Sequence, residues 1–185
     1  MTVISYNYVN VIQALNGLYK DIKNKNSNFN SSMVLLATIV SSKPLNVLLA
    51  DDDEEDRELF IEALAEVAPQ VKVTYVENGE LLMEILKTEE NLPNIIFLDL
   101  NMPHKNGTEC LHEIRSQENL KNIPVIIYST SSSRIDIEKT FKNGATLYIT
   151  KPSSFKELTK ITKKVFSINW NESFPKPKIE KFVFK

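Results

Sequence analysis

The stretch 46–60, NVLLADDDEEDRELF, decides the reading of the fold. Its opening, Asn46–Ala50, is a short run rich in Val and Leu, the composition of a strand buried on both faces. Three aspartates follow with no glycine among them. Apolar residues then fall into helical spacing, with Phe60, Ala63, Leu64 and Val67 on one face. Strand, acidic loop and helix make one βα unit.

The unit recurs along the chain. Val71–Val76, Asn94–Asp99, Ile123–Ser129 and Thr146–Thr150 read as further buried strands. Helical spacing follows each: Leu81, Leu82, Ile85 and Leu86; Gly107, Cys110, Leu111 and Ile114; Ile137 and Phe141 within Arg134–Lys142; and Phe155, Leu158, Ile161 and Val165. Pro69, Asn78-Gly79, Pro93, Asn106-Gly107, Pro124 and Asn143-Gly144 mark the element boundaries. Five such units fit between Leu45 and about Phe166. They predict a doubly wound α/β domain, a five-stranded parallel sheet flanked by five helices.

A chain of 185 residues suffices for one domain with extensions, not for two. The predicted domain is 45–167. Residues 1–44 form an N-terminal extension with an amphipathic run (Tyr8, Val11, Ile12, Leu15, Leu18, Tyr19) before the polar stretch Lys23–Ser32. It is read as a partly disordered arm, with Met33 an alternative start. Residues 168–185 form a tail in which Trp170, Phe174, Phe182 and Phe184 stand among lysines, expected to pack on its own domain or on a second copy.

A net charge of −2 gives no positive field for nucleic acid or an anionic membrane. The apolar run Met33–Val40 is far shorter than the roughly 20 residues of a membrane helix. No secretory signal is evident, and the single Cys110 rules out an internal disulfide. The expected location is the cytoplasm.

In open parallel sheets, function sits outside the carboxyl ends of the strands. There the first strand delivers Asp51, Asp52 and Asp53, the third Asp99 and Asn101, the fourth Ser129 and Thr130, and the fifth Lys151 and Pro152. Carboxylates gathered this closely repel one another unless a cation neutralises them. Oxygen ligands with room for water suit Mg²⁺, or Mn²⁺ in its place. A metal in that pocket lets a phosphoryl group approach, Lys151 can pair with its oxygens, and the Ser129 hydroxyl can donate to it.

This arrangement resembles the receiver domains of two-component response regulators, especially the single-domain, chemotaxis-type regulators. The matching stretches are VLLADDDEEDRELF, IIFLDLNMPHKNG, PVIIYSTSSS and NGATLYITKPSSF, about two-thirds of the chain in the family's order. The resemblance implies a flavodoxin-like receiver fold with Asp99 as phospho-acceptor. It implies that Asp52 ligates Mg²⁺ directly, Asp51 mainly through water, and Asn101 through its backbone carbonyl. Ser129 becomes the switch hydroxyl, with Thr130 beside it at the phosphate; Lys151 pairs with the phosphate, and Tyr148 is the aromatic switch residue. The Lys151–Pro152 bond is expected to be cis. The implied partners are a sensor histidine kinase or a histidine phosphotransfer protein and a downstream protein target, with self-association into a homodimer a further outcome. Metal-assisted self-phosphorylation and slow self-dephosphorylation come with the family; enzyme turnover of a substrate does not.

Other residues have plainer readings. Asp53, Glu54, Glu55 and Asp56 read as a first helical turn favoured by the helix dipole, and His104 and His112 as exposed side chains. Arg57, Arg134 and Ile135 are candidate partner-surface residues. A dinucleotide-binding protein would need a glycine-rich first loop, which is here all carboxylate. A haloacid-dehalogenase-type phosphatase would need an acid two residues after the nucleophile, where this chain has Asn101. A phosphorylation-independent receiver-like scaffold is the main alternative; such proteins lose acidic or lysine positions that are kept here.

Overall fold

The computed structural model describes residues 45–88, 91–168, 170 and 179–184. The expected N-terminal helix, the polar run after it and Phe174 lie outside these residues.

Strands β1 (Asn46–Ala50), β2 (Lys72–Val76), β3 (Ile95–Leu98), β4 (Val125–Ser129) and β5 (Leu147–Thr150) alternate with helices α1 (Glu54–Val67), α2 (Gly79–Thr88), α3 (Gly107–Ser116), α4 (Arg134–Lys142) and α5 (Phe155–Phe166). One helical turn, α6 (Ile179–Phe182), leads into β6 (Val183–Phe184). All pairings are parallel, in the order β2-β1-β3-β4-β5-β6. The five expected strands and five helices are present, and a short sixth strand from the tail extends the sheet beyond β5.

Alternation along the strands explains the two layers. Val47, Leu49, Ile95, Phe97, Ile126, Tyr128, Leu147 and Ile149 meet α1 and α5 through Phe60, Ala63, Leu64, Leu158 and Val165. Their strand neighbours Leu48, Ala50, Ile96, Leu98, Val125, Ile127 and Tyr148 face the opposite way, towards Leu82, Leu86, Cys110, Leu111 and Ile114 on α2 and α3. Both faces are therefore apolar, which is why the strands read as continuous hydrophobic runs.

The tail residues take up both layers. Trp170 joins the α1–α5 side, where its indole N–H donates to the Val165 carbonyl (2.9 Å). Phe182 enters the other side between Phe141 (5.1 Å) and Tyr148 (6.1 Å between ring centroids).

Local chemistry sets where the helices start. The Asp53 carboxylate accepts from the Asp56 N–H (3.1 Å) and caps α1, with Glu54, Glu55 and Asp56 in its first turn. Asn106 and Glu109 form a reciprocal capping box on α3, and Ser154 caps α5. Gly107 is required by contact rather than by turn geometry. A Cβ there would lie 2.0 Å from the carbonyl oxygen of Asp99, so α3 can begin this close to β3 only with glycine.

Candidate functional site

The parallel strands end at one edge of the sheet, and the residues just past their ends converge there. Asp51 and Asp99 are buried just beyond β1 and β3, held by backbone bonds from Asp51 N–H to the Val76 carbonyl (3.0 Å) and from Asp99 N–H to the Ala50 carbonyl (2.9 Å). Asp52 is exposed beside them. One carboxylate oxygen from each of Asp51, Asp52 and Asp99 lies within 4.8 Å of the others, a cluster that a single small cation can span.

The hydrogen bonding leaves that cluster incomplete. Asp51 Oδ1 accepts from the Asp53 N–H and Asp99 Oδ2 from the Asn101 N–H, both at 3.2 Å. Asp99 Oδ1 is buried with no donor, and Asp51 Oδ2 has no well-directed hydrogen bond, only the Lys151 ammonium at 2.7 Å. Burial pushes the Asp51 carboxyl up to about 6, with Lys151 pulling against it and Asp99 adding to it. Burial alone would lower the Lys151 ammonium, but Asp51 and Asp56 outweigh that and hold it above its ordinary range. A buried Asp99 oxygen with no donor and a buried Asp51 oxygen met only by Lys151, beside an exposed third carboxylate, fit a hard divalent cation with water in its shell.

The residue pattern and the fold meet in one comparison. The model of the response regulator receiver domain matches residues 47–163. The chain belongs to the response regulator receiver family. A curated relative, response regulator Rcp1 of Synechocystis sp., is 32% identical over 142 residues, which are 74% of this chain and 96% of that protein. Among solved structures, the phosphorylated cyanobacterial phytochrome response regulator RcpA matches with a TM-score of 0.65 and 34% identity, over 73% of this chain and 99% of that one. The Mn²⁺-bound form of Rcp1 matches with a TM-score of 0.63 and 31% identity, over 73% and 100%.

The receiver places its remaining candidates around the same pocket. Ser129 is fully buried at the end of β4, and its oxygen accepts a long hydrogen bond from the Ser131 N–H (3.5 Å). Thr130 and Asn101 are exposed. Lys151 comes directly after β5, tied by its N–H to the Ser129 carbonyl (2.8 Å), and its side chain is almost wholly buried. Tyr148 lies within β5, three residues before Lys151, fully buried, with its hydroxyl donating to the Ser131 carbonyl (2.8 Å).

One expectation is corrected. No peptide bond among the described residues is cis, so Lys151–Pro152 is trans. An X–Pro bond prefers trans by about 0.5–1 kcal/mol, and the Lys151 ammonium reaches its carboxylates with the trans linkage.

Three contributors go beyond what the sequence pattern indicates. Arg57 is not a partner-surface residue. Its guanidinium is buried, donates to the Asp51 carbonyl (2.8 Å) and lies over the Tyr75 ring (5.4 Å), steadying the acidic loop from behind. Ser131 links the two switch candidates, its N–H to Ser129 and its carbonyl to Tyr148. Asp56 holds the Lys151 ammonium at 2.6 Å. Only Ser131 has a local signal, its place two residues after Ser129.

Proposed function

We propose that the receiver accepts a phosphoryl group on Asp99 from the phosphohistidine of a sensor histidine kinase or a histidine phosphotransfer protein. A carboxylate oxygen of Asp99 attacks phosphorus, the P–N bond breaks, and its electron pair stays on the departing imidazole. The product is an acyl phosphate, which water later cleaves to restore the carboxylate and release inorganic phosphate. Asp51, Asp52 and Asp99, with the Asn101 carbonyl, are the residues that would hold Mg²⁺. When bound, the ion shields the charge of the phosphoryl oxygens against the carboxylates. The Mn²⁺-bound form of the relative Rcp1 supports a divalent ion in a pocket of this kind.

The observation that carries the reading is the buried Asp99 carboxylate, short of one donor, beside Asp51, Asp52 and the Lys151 ammonium. Lys151 supplies the positive charge that phosphoryl oxygens need in a pocket that is otherwise anionic. The Ser129 hydroxyl proton is uncommitted to any hydrogen bond among the described residues and can turn towards the new group. A phosphoryl group brings nearly two negative charges and three acceptor oxygens. Drawing Ser129 towards it disturbs Ser131, and with it the Tyr148 hydroxyl and the loop that opens α4. Because Tyr148 is already buried, the response falls on this loop and α4 rather than on inward movement of the ring. Exposed Ile135 and Arg134 on α4 are then the surface from which a downstream protein, or a second copy, reads the state.

Acetyl phosphate or a histidine kinase should label wild-type protein with Mg²⁺ and not without it. Asp99→Asn should remain unlabelled on a phosphate-affinity gel. Equal labelling of both proteins would remove Asp99 as acceptor.

A further inference from the structure

The Lys151 ammonium is shared between two carboxylates of unequal standing. Asp51 Oδ2 is 2.7 Å away and its side chain is wholly buried, whereas Asp56 Oδ2 is 2.6 Å away on a side chain that is 32% exposed. The Lys151 side chain is only 7% exposed, and its Nζ lies 5.5 Å from the Tyr128 ring centroid. Water is thus mostly excluded, and the two carboxylates take the place of a hydration shell. Among the described residues Lys151 makes no ion pair with Asp99.

We infer that Asp56 is a positioning residue that tethers Lys151 at rest and competes with the Asp99 phosphoryl group for its ammonium. This rests on Asp99 being the acceptor. Three donors could serve three groups, but Nζ is held at 2.6–2.7 Å from Asp56 and Asp51 and makes no ion pair with Asp99, so reaching oxygens carried on Asp99 requires it to move off one present partner. Asp51 cannot be rehydrated without opening the pocket. Asp56, at the rim in the first turn of α1, can return to water at little cost. The tether therefore opposes the phosphorylated state and sets how firmly Lys151 holds the phosphoryl group once it is there. A carboxylate at Asp56 thereby tunes the lifetime of the signal without touching the reacting atoms.

The test is calorimetric titration of the full chain with beryllofluoride in saturating Mg²⁺, comparing wild type, Asp56→Asn and Glu55→Gln. Glu55 is an exposed acid on the same helical turn, so its variant reports the general effect of removing one negative charge. Asp56→Asn should bind about five-fold more tightly than wild type, in line with a partly exposed ion pair, and Glu55→Gln should stay close to wild type. Equal or weaker binding by Asp56→Asn, or an equal gain in Glu55→Gln, would overturn the tether. A second measurement needs no phosphoryl chemistry. Acylation of Lys151 by acetic anhydride, followed by peptide mass spectrometry, should be faster in Asp56→Asn, and an unchanged rate would overturn the tether. If wild type fails to bind beryllofluoride while Lys151 reactivity still rises, the acceptor reading falls and the tether stands as a feature of the resting pocket.

Discussion

Tyr148 and Phe182 stand with ring centroids 6.1 Å apart, both fully buried, and Tyr148 pairs in register with Val183, the residue that follows Phe182. The aromatic residue bonded to Ser131 is thus packed by the tail of its own chain. Removing a buried Phe ring costs about 3–5 kcal/mol when the cavity cannot collapse. Phe182→Ala should therefore lower unfolding stability in urea by about 3 kcal/mol, the low end of that range. A loss below about 1 kcal/mol, typical of an exposed position, would mean that the segment does not dock.

Asp52 and Asp53 are adjacent and equally charged, yet their variants should fail in different ways. Asp52→Ala should weaken Mg²⁺ binding severely and leave stability nearly unchanged, because Asp52 is exposed and belongs to the carboxylate cluster. Asp53→Ala should keep Mg²⁺ affinity within a few fold but lose about 1 kcal/mol, because its carboxylate caps α1. Calorimetric Mg²⁺ titration and urea unfolding of both variants check this. The reverse pattern would place the acidic register one residue off.

Gly107 and Gly144 should also separate. A Cβ at Gly107 meets the Asp99 carbonyl oxygen at 2.0 Å, so Gly107→Ala forces backbone movement at the proposed acceptor. It should cost about 1–3 kcal/mol and weaken beryllofluoride binding. Gly144, at φ +88°, faces only the Arg115 side chain. Gly144→Ala should cost about 1–2 kcal/mol from its left-handed backbone and leave beryllofluoride affinity intact. A Gly107→Ala protein with wild-type affinity would contradict the tight β3–α3 contact.

The pH dependence comes from Asp51, whose carboxyl is raised from 3.8 to about 6 by burial. A folded-state value above the unfolded one means that this group's stabilising contribution is complete below about pH 4 and is lost as pH rises through 6. The loss amounts to roughly 3 kcal/mol in metal-free protein. Mg²⁺ binding runs the opposite way, because it needs the ionised carboxylate. Affinity should fall roughly tenfold from pH 7 to pH 5 and level off above pH 7. Mg²⁺ titrations from pH 5 to 8 test this, and a flat profile would show that Asp51 is ionised throughout.

The sheet and the acidic pocket were readable in sequence because each strand is a short apolar run and the polar residues fall just after it. The carboxyl ends of parallel strands gather at one edge, so order along the chain becomes proximity in space. The features that escaped that logic depend on directions and distances that no local pattern carries. Asp56 reads as a helix-dipole residue, and its partner Lys151 is 95 positions away. Arg57 reads as exposed beside four acids but turns inward to the Asp51 carbonyl. The strand at Val183–Phe184 is two residues long, too short for any alternation to announce it, and the niche of Phe182 is built by Phe141 and Tyr148 from elements distant in sequence.

Parallel addition of β6 also fixes the polarity of the molecule for anyone building with it. The chain enters β1 at the rim away from the carboxylates, while Phe184, level with Ile149, runs towards the rim that bears Lys151 and Asp99. A reporter domain joined after the last strand would be held at the edge where the proposed phosphodonor would approach, and would have to share that space. It would also pull on the segment that carries Phe182. A donor and acceptor dye pair is better served by the outer face of α2 or α5, which leaves both the aromatic niche and the approach to Asp99 clear.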